Sequence, residues 1–302
     1  MSSPRTIYFI LFWMCAVGLT AQNTNYTEFF GTSWQHIGSA GLADTTAILD
    51  QSRFRVSGGY GWTLNENGDM LSLGAGYALM NLKNSTEPDD PLEIHDIQLG
   101  VDYARNWSLY WASTFSMSLN FVSDLQTEAT SAYQTNLSVL FHHGKQESLI
   151  WTFGLLYSDQ PFGTWLFPVL GVDWQINPDL YFSGILFSNL YLEHALISQQ
   201  LYWGIDVAAE GYSFVISDYQ GAMDSYLTSF SEELPFFPFN YRLFVDYYFS
   251  NGLVLYTKAG YLATRGFRHY STEHDRLGGL YDRAIDAAFN VEVGLAWRLR
   301  NF

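Results

Sequence analysis

The chain has 302 residues, of which 18% are aromatic and only 15% are charged, and its formal net charge is −16. Globular proteins carry about 25% charged residues, so this composition disfavours an ordinary soluble domain, with a soluble all-β sandwich as the alternative. The acidic balance argues against a nucleic-acid partner, because affinity for phosphates comes from Lys and Arg. Low charge with many aromatic residues suits a membrane β-barrel that is apolar outside and polar inside.

The first 21 residues have the pattern of a secretory signal peptide. Arg5 supplies a positive charge, residues 7–19 form an apolar run, and Leu19-Thr20-Ala21 resembles a cleavage site. Cys15 is the only cysteine, and it lies inside this apolar run. No later apolar run reaches the roughly 20 residues of a membrane helix. We therefore expect 1–21 to be a signal peptide and 22–302 to be a single outer-membrane β-barrel domain without disulfides.

The rest of the chain alternates between apolar and polar residues with a period of two, which predicts β-strands. The clearest stretch runs from Trp107 to Phe121 and exceeds the roughly 9–11 residues that a membrane strand needs. Asn67-Gly68 is a strong hairpin signal between two early strands. Strands are expected at 26–37, 54–62, 71–79, 97–103, 107–121, 133–141, 149–157, 170–174, 180–187, 190–197, 201–215, 241–249, 253–261 and 289–299.

The connections between these strands alternate in length. Short turns are expected at 65–69, 105–106, 143–147, 177–179, 198–200 and 250–252, and longer links at 81–93, 123–131, 158–165, 216–237 and 264–286, with a shorter one near 188–190. Bacterial barrels have short periplasmic turns and longer external loops. We therefore predict an all-β, transmembrane, antiparallel up-and-down barrel of about 14 strands, with 12 as the alternative.

Several features together resemble Gram-negative outer-membrane β-barrel proteins: the signal peptide, the two-residue repeat, the loop asymmetry and the final strand that ends in Phe302. The motif from Leu166 to Trp174, followed by a hairpin and by Glu193 to Gly204, is similar to an uncharacterised outer-membrane family of unknown function. This resemblance implies contact with outer-membrane lipid and with the barrel-assembly machinery.

The strand phase assigns thirteen charged side chains to the inside of the barrel, because a charge on the lipid face would be costly. They are Arg53, Arg55, Asp96, Asp102, Asp173, Glu193, Asp206, Glu210, Arg242, Asp246, Lys258, Glu292 and Arg298. The turn at 250–252 places Asp246 near Tyr256 or Lys258, with Arg242 one step further. These residues either form ion pairs across the lumen that stabilise the barrel, or line a path for a polar solute. Their mixed signs argue against strong ion selectivity.

Two other kinds of site have weaker patterns. A metal site could use His269, Glu273 and His274, but their spacing matches no zinc-protease motif, so a solvated external loop is favoured. A membrane hydrolase would need a nucleophile beside a histidine, and the sequence offers no obvious partner for His142 or His194. We therefore expect no enzyme activity, catalytic residue, metal or cofactor.

The sequence leaves two functions open. The first is a passive pore, or a transport or binding component, for small polar solutes in the outer membrane. The second is a structural or interaction barrel whose lumen is plugged by ion pairs and transports nothing.

Overall fold

A computed structural model describes residues 26–42, 47–85, 87–126, 132–145, 149–161, 163–211, 213–216, 225–231, 239–263, 265–270 and 284–300. The expected signal peptide and the terminal Phe302 lie outside these residues. In the part of the chain that is described, no helix is long and apolar enough to cross a membrane.

The described residues are almost entirely β-structure. The first strands are β1 Tyr26–Gly41, β2 Ile48–Thr63, β3 Met70–Asn84, β4 Glu87–Asn106, β5 Trp111–Ser123, β6 Tyr133–Lys145, β7 Leu149–Gln160, β8 Gly163–Asn177 and β9 Leu180–Ile185. The later ones are β10 Asn189–Ile197, β11 Leu201–Ala209, β12 Ser213–Ile216, β13 Ser225–Ser231, β14 Phe239–Tyr248, β15 Leu253–Leu262, β16 Arg265–Tyr270, β17 Ala284–Ile285 and β18 Ala288–Arg300.

All of these strands except β12, β13, β16 and β17 form the wall of a closed barrel. Consecutive wall strands pair antiparallel, and β18 closes the barrel by pairing with β1. The described residues therefore contribute fourteen wall strands in up-and-down order, which confirms the predicted fold class and the preferred strand count.

The side chains of the wall alternate between an apolar outer face and a polar inner face. On β14, Leu243, Val245 and Tyr247 are exposed while Arg242 and Asp246 are buried. The same alternation leaves a large set of Leu, Val, Phe, Tyr and Trp side chains exposed around the barrel. Such a continuous apolar surface is unstable in water, and it fits the apolar belt that a membrane barrel presents to lipid.

Several predicted boundaries differ from the structure, and three of them show why. The strand expected from Trp107 begins at Trp111, because the amides of Trp107 and Ser108 both bond the Trp111 carbonyl and close a turn over 107–110. The links expected at 81–93 and 158–165 are mostly strand. Their hairpins stay paired up to Asn84 and Glu87 in one case, and up to 160 and 163 in the other.

The connections expected at 216–237 and 264–286 contain further strands. β12, β13, β16 and β17 pair in that order, and β12 forms a parallel bridge from Val215 to Ser123 on β5. The Asp124 amide donates to the Val215 carbonyl at 3.2 Å, and Gln134 donates to the Ser213 carbonyl at 2.5 Å. Since β5 and β14 lie on opposite sides of the fourteen-strand ring, this small sheet, here called the cap, crosses the barrel mouth.

The cap shares an apolar core with the inner face of the wall. Phe214, Phe267 and Ile285 are fully buried. They belong to one cluster with inward residues of the first five strands, among them Ile37, Leu49, Leu82 and Ile94. The end of the lumen under the cap is therefore dry on this side.

His269 lies on the cap strand β16 and is only 1% exposed, so the prediction of a solvated loop is wrong at this residue. It is buried because β16 is folded into the cap instead of standing in solvent. Glu273 and His274 lie outside the described residues. Within those residues, no group of three His, Cys, Asp or Glu side chains could hold a metal ion.

Candidate functional site: the barrel lumen

One side of the lumen holds a central cluster of ion pairs around Arg242. Its guanidinium donates to Asp206 at 3.0 Å, to Glu210 at 3.2 Å and to Glu292 at 3.2 Å. Lys258 donates to the same Asp206 carboxylate at 2.6 Å. Arg242 is 7% exposed, so its charge depends on these carboxylates instead of on water.

A second cluster, here called the end cluster, lies closer to the short turn between β14 and β15. Arg298 donates to Glu28 at 2.7 Å and to Asp246 at 2.9 Å. The Arg300 guanidinium donates two hydrogen bonds, of 2.9 and 2.6 Å, to the two carboxylate oxygens of Glu193. Its guanidinium also lies 3.4 Å from the ring centroid of Tyr202, a favourable cation–π geometry.

The partners differ from those expected in one respect. Asp246 pairs with Arg298 and not with Lys258, because Asp246 faces Tyr256 directly across the hairpin while Lys258 faces Phe244. Lys258 instead reaches Asp206 on β11. The sequence could not show this, because the register of β18 against β15 is set across a long connection.

Two members of the end cluster were missed by the sequence analysis. Glu28 was missed because the register of β1 against β18 shifts between Glu28 and Phe30, which changes the strand phase. Arg300 could have been predicted from the sequence. It lies two residues after Arg298, so its side chain is on the same inward face of the strand.

The remaining predicted residues lie on the other side of the lumen. Arg53 forms an ion pair with Asp96 at 3.3 Å, and Gln98 donates to the same carboxylate at 2.9 Å. Arg55 lines the lumen, and no described carboxylate lies within ion-pair distance of it.

Asp102 and Asp173 also line the lumen. Asp102 faces Ser116 across the β4–β5 pair. Asp173 accepts hydrogen bonds from Tyr181 at 2.8 Å and from Ser183 at 2.6 Å. These two acids therefore sit among hydroxyl groups, unlike the acids of the central and end clusters.

Next to the paired charges lies a cavity of about 2120 Å³. At one end of the barrel it touches the turn from Trp107 to Tyr110, and toward the other end it reaches Gln160 and Arg268. Among the described residues, its lining carries five acidic and five basic side chains. The described charges along the cavity are therefore balanced in number, and the weak ion selectivity expected from their mixed signs stays a prediction.

Part of the cavity wall has no charge at all. The described inward positions of β5, β6 and β7 hold hydroxyl, amide, imidazole and apolar groups, so we call this surface the neutral wall. Its polar members are Thr114, Ser116, Ser118, Asn120, Gln134, Asn136, Ser138, His142, Thr152, Ser158 and Gln160.

Hydrogen bonds cross the neutral wall from strand to strand. Asn136 donates to Ser118 at 3.2 Å and accepts from Ser158 at 2.7 Å. His142 bonds Thr114 and Thr152 at 3.0 Å each. Such a surface offers both donors and acceptors to an uncharged polar solute.

Comparison with known proteins assigns the family. A family model described as a domain of unknown function (DUF6268) matches residues 63–298. The chain belongs to this family. The resemblance to an uncharacterised barrel family is thereby confirmed. A search of curated proteins found no match to this chain.

Solved barrels are similar to the DUF6268 chain at low identity. The NanC porin in its rhombohedral crystal form is 13% identical, with 89% of this chain and 100% of that chain covered and a TM-score of 0.39. The COG4313 outer membrane channel from Pseudomonas putida F1 is 10% identical over 95% and 98% of the chains, with a TM-score of 0.46. Outer membrane phospholipase A from Escherichia coli is 13% identical over 90% and 93%, with a TM-score of 0.37. The function of this chain therefore has to be argued from its own lumen.

Proposed function

We propose that the protein is an outer-membrane pore through which small polar solutes cross passively. The observation that carries this proposal is the cavity, which reaches from the turn at 107–110 to residues near the opposite end of the barrel. Its volume of about 2120 Å³ exceeds the roughly 300–1,000 Å³ of an ordinary ligand pocket. A cavity of this size and shape suits a path better than a closed binding site.

The chemistry of the cavity indicates which solutes would pass. In the described part of the lining, five acidic and five basic side chains balance one another, so the path should favour neither cations nor anions strongly. The neutral wall presents hydroxyl and amide groups along the same path. We therefore expect small uncharged polar solutes to pass, together with small ions of either sign.

A structural barrel that transports nothing is the second candidate. It is favoured by the part of the lumen that the central cluster, the end cluster and the cap core occupy. The two candidates differ in one measurable respect. A filled barrel conducts no ions, whereas the cavity proposed as a path does.

Purified protein in planar bilayers tests the pore. We expect stable single-channel conductance with a reversal potential near zero in a salt gradient. Asn120→Trp places a large ring on the inward face of β5 and should lower the conductance at least twofold. Leu119→Trp is the matched control, because the neighbouring side chain points outward and is already exposed, and it should leave the conductance unchanged.

Two results would contradict the pore. One is the absence of conductance from folded wild-type protein, which would favour the structural barrel. The other is equal conductance in the Asn120→Trp and Leu119→Trp variants, which would place the ion path away from the neutral wall. Swelling of liposomes in a neutral pentose solution extends the test to uncharged solutes.

A further inference from the structure

Two rows of inward side chains cross the neutral wall, and each row ends at an aromatic ring on β8. Strand pairing places the members of a row directly opposite one another, about 4.8 Å apart from strand to strand. The first row, from β5 to β8, is Ser118, Asn136, Ser158 and Trp165. The second row, in the same order, is Ser116, Ser138, Leu156 and Phe167. These side chains all line the cavity, and the surface that they form is here called the patch.

The two rings give the patch an apolar end. Trp165 and Phe167 are successive inward residues of β8, and their rings are nearly parallel, with an interplanar angle of 10° and centroids 6.0 Å apart. Both side chains are only partly buried where they line the cavity. The inside of a membrane barrel is normally polar, so rings that reach the lumen are unusual. The face of an aromatic ring is a negative surface, which attracts polarised C–H groups.

The polar groups next to the rings are uncharged and are held in place by one another. Asn136 donates to Ser118 and accepts a hydrogen bond from Ser158. These two bonds use one of the two N–H donors of the amide and one of its two acceptor positions. Asn136 therefore keeps a second donor and a second acceptor for a solute, in a fixed orientation.

A buried hydroxyl in the second row indicates that the patch binds a ligand. Ser138 is 5% exposed, lines the cavity and forms no hydrogen bond through its hydroxyl with any described group. A buried hydroxyl without a partner is unfavourable. A hydroxyl group of a solute that lies on the patch can supply that partner, because it can both donate and accept.

A row of side-chain amides extends the patch toward the cap. Gln98, Asn120 and Gln134 lie directly opposite one another on β4, β5 and β6. Gln134 donates to the Ser213 carbonyl of the cap, so this row lies beneath the cap. In the described part of the chain, no group forms a hydrogen bond with the Asn120 side chain, which lines the cavity. Asn120 therefore offers both donors and acceptors next to the patch.

Charged groups of the described wall lie away from the two rings. Asp102 faces Ser116 at the far end of the second row, four pairings or roughly 19 Å from Phe167. Asp173 lies six residues from Phe167 along β8, which is roughly 20 Å. The basic side chains of the described wall that line the cavity lie on β2, β14 and β15. A charged solute on the rings would therefore have no partner of opposite sign in the wall beside it, and a neutral solute is favoured.

We propose that the patch binds a neutral hexose sugar, as a single ring or as a disaccharide. One face of a hexose ring presents C–H groups, which match Trp165 and Phe167. Its rim presents hydroxyl groups that donate and accept, which match Asn136, Ser138 and Asn120. The rows extend roughly 14 Å from the rings to β5, which is long enough for a disaccharide. This proposal rests on the proposed function and deepens it, since it names the class of solute that the path takes.

Saturation-transfer difference NMR on folded protein in detergent micelles tests the patch with three probes. Maltose is the neutral sugar, sorbitol has hydroxyl groups but no ring, and glucuronate has a ring with a negative charge. We expect transfer to the C–H protons of maltose, and at least fivefold less transfer to sorbitol and to glucuronate at equal concentration. Transfer to either of these probes that equals the transfer to maltose would overturn the proposal.

Substitutions place the sugar on the patch. Phe167→Ala removes one of the two rings and should reduce transfer to maltose at least fivefold. Phe153→Ala is the matched control, because its ring is exposed on the outer face of β7, and it should leave transfer unchanged. All variants are measured on protein that keeps the heat-modifiable mobility of a folded barrel.

Ser138→Ala keeps the test decisive where Phe167→Ala does not fold. It removes a hydroxyl that bonds no described group, so it should leave the fold intact and reduce transfer to maltose at least twofold. Unchanged transfer in folded Ser138→Ala would overturn the patch as the binding site.

The conductance of the same wild-type protein in planar bilayers separates the sugar site from the pore. Protein that conducts ions but shows no transfer to maltose refutes the sugar site alone. Protein that binds maltose through the patch but conducts no ions refutes the pore alone.

Discussion

Removing the charge of Arg242 should destabilise the folded barrel strongly. Arg242 is surrounded by Asp206, Glu210 and Glu292 at 3.0–3.2 Å. Arg242→Met keeps most of the side-chain volume but leaves three carboxylates with Lys258 as the remaining cation of the cluster. Breaking a buried pair by removing one partner costs about 3–5 kcal/mol, and we expect the free energy of unfolding to fall by about this amount.

Arg55→Met is the matched control for this experiment. Arg55 also points inward and lines the cavity, but none of the described carboxylates lies within ion-pair distance of it. Arg55 is half-buried, and its charge acts on Asp96 without a direct ion pair. Its loss should therefore cost about 1 kcal/mol, well below the cost of losing Arg242. It should instead shift the reversal potential toward cations, because the lining loses one positive charge.

The assay is denaturant titration of protein folded into phospholipid vesicles, followed by tryptophan fluorescence. A double variant with Asp206→Asn should recover part of the loss, because it removes one uncompensated carboxylate. Equal losses of stability for Arg242→Met and Arg55→Met would refute the reasoning. That result would mean that water reaches Arg242 as freely as it reaches Arg55, and that the clusters do not fill their half of the lumen.

The other predictions concern the outer face and the cap. Val245→Arg should reduce the free energy of folding in vesicles by about 2–4 kcal/mol, because the residue lies at mid-depth in the apolar belt. The same change at Phe249, beside the turn, should cost about 0–1 kcal/mol. Equal costs would contradict the placement of the belt. Phe214→Ala should raise single-channel conductance, because the ring holds the cap in the barrel mouth, and an unchanged conductance would show that the cap does not narrow the path. Protease added to intact cells should cleave the protein at 216–237 or 264–286 before it cleaves at 143–147. The reverse order of cleavage would mean that the orientation in the membrane is inverted.

The two-residue period was sufficient to predict the barrel wall. Alternation along each strand separates the outer face from the inner face, so the side of each charged residue follows from its position alone. The first strand has an ambiguous pattern of its own. It was inferred because a strand must carry the chain outward before the first clear strand runs back to the short turn at 65–69, and it brings the count to an even fourteen. Its partners in the structure are β2 and β18, as closure of the barrel requires.

The cap could not be predicted from the sequence, because it depends on contacts between distant segments. Phe214 packs against Phe267 with ring centroids 6.2 Å apart. In the sequence, the run from Phe214 to Ile216 resembles the end of a long strand that begins at Leu201. Only the three-dimensional structure shows that the chain bends at 210–211 and crosses the mouth to β5.

The distribution of charge in the lumen follows from the cost of desolvating a charge. The charges of the central and end clusters lie on β10, β11, β14, β15, β18 and β1, where each has a partner of opposite sign. Trp165, Phe167 and Val169, which are inward residues of β8, carry no charge. An ionised side chain among these apolar residues would lack a partner and would cost several kcal/mol. The paired charges and the apolar residues of the lumen are therefore kept apart, because a desolvated charge is stable only beside a partner of opposite sign.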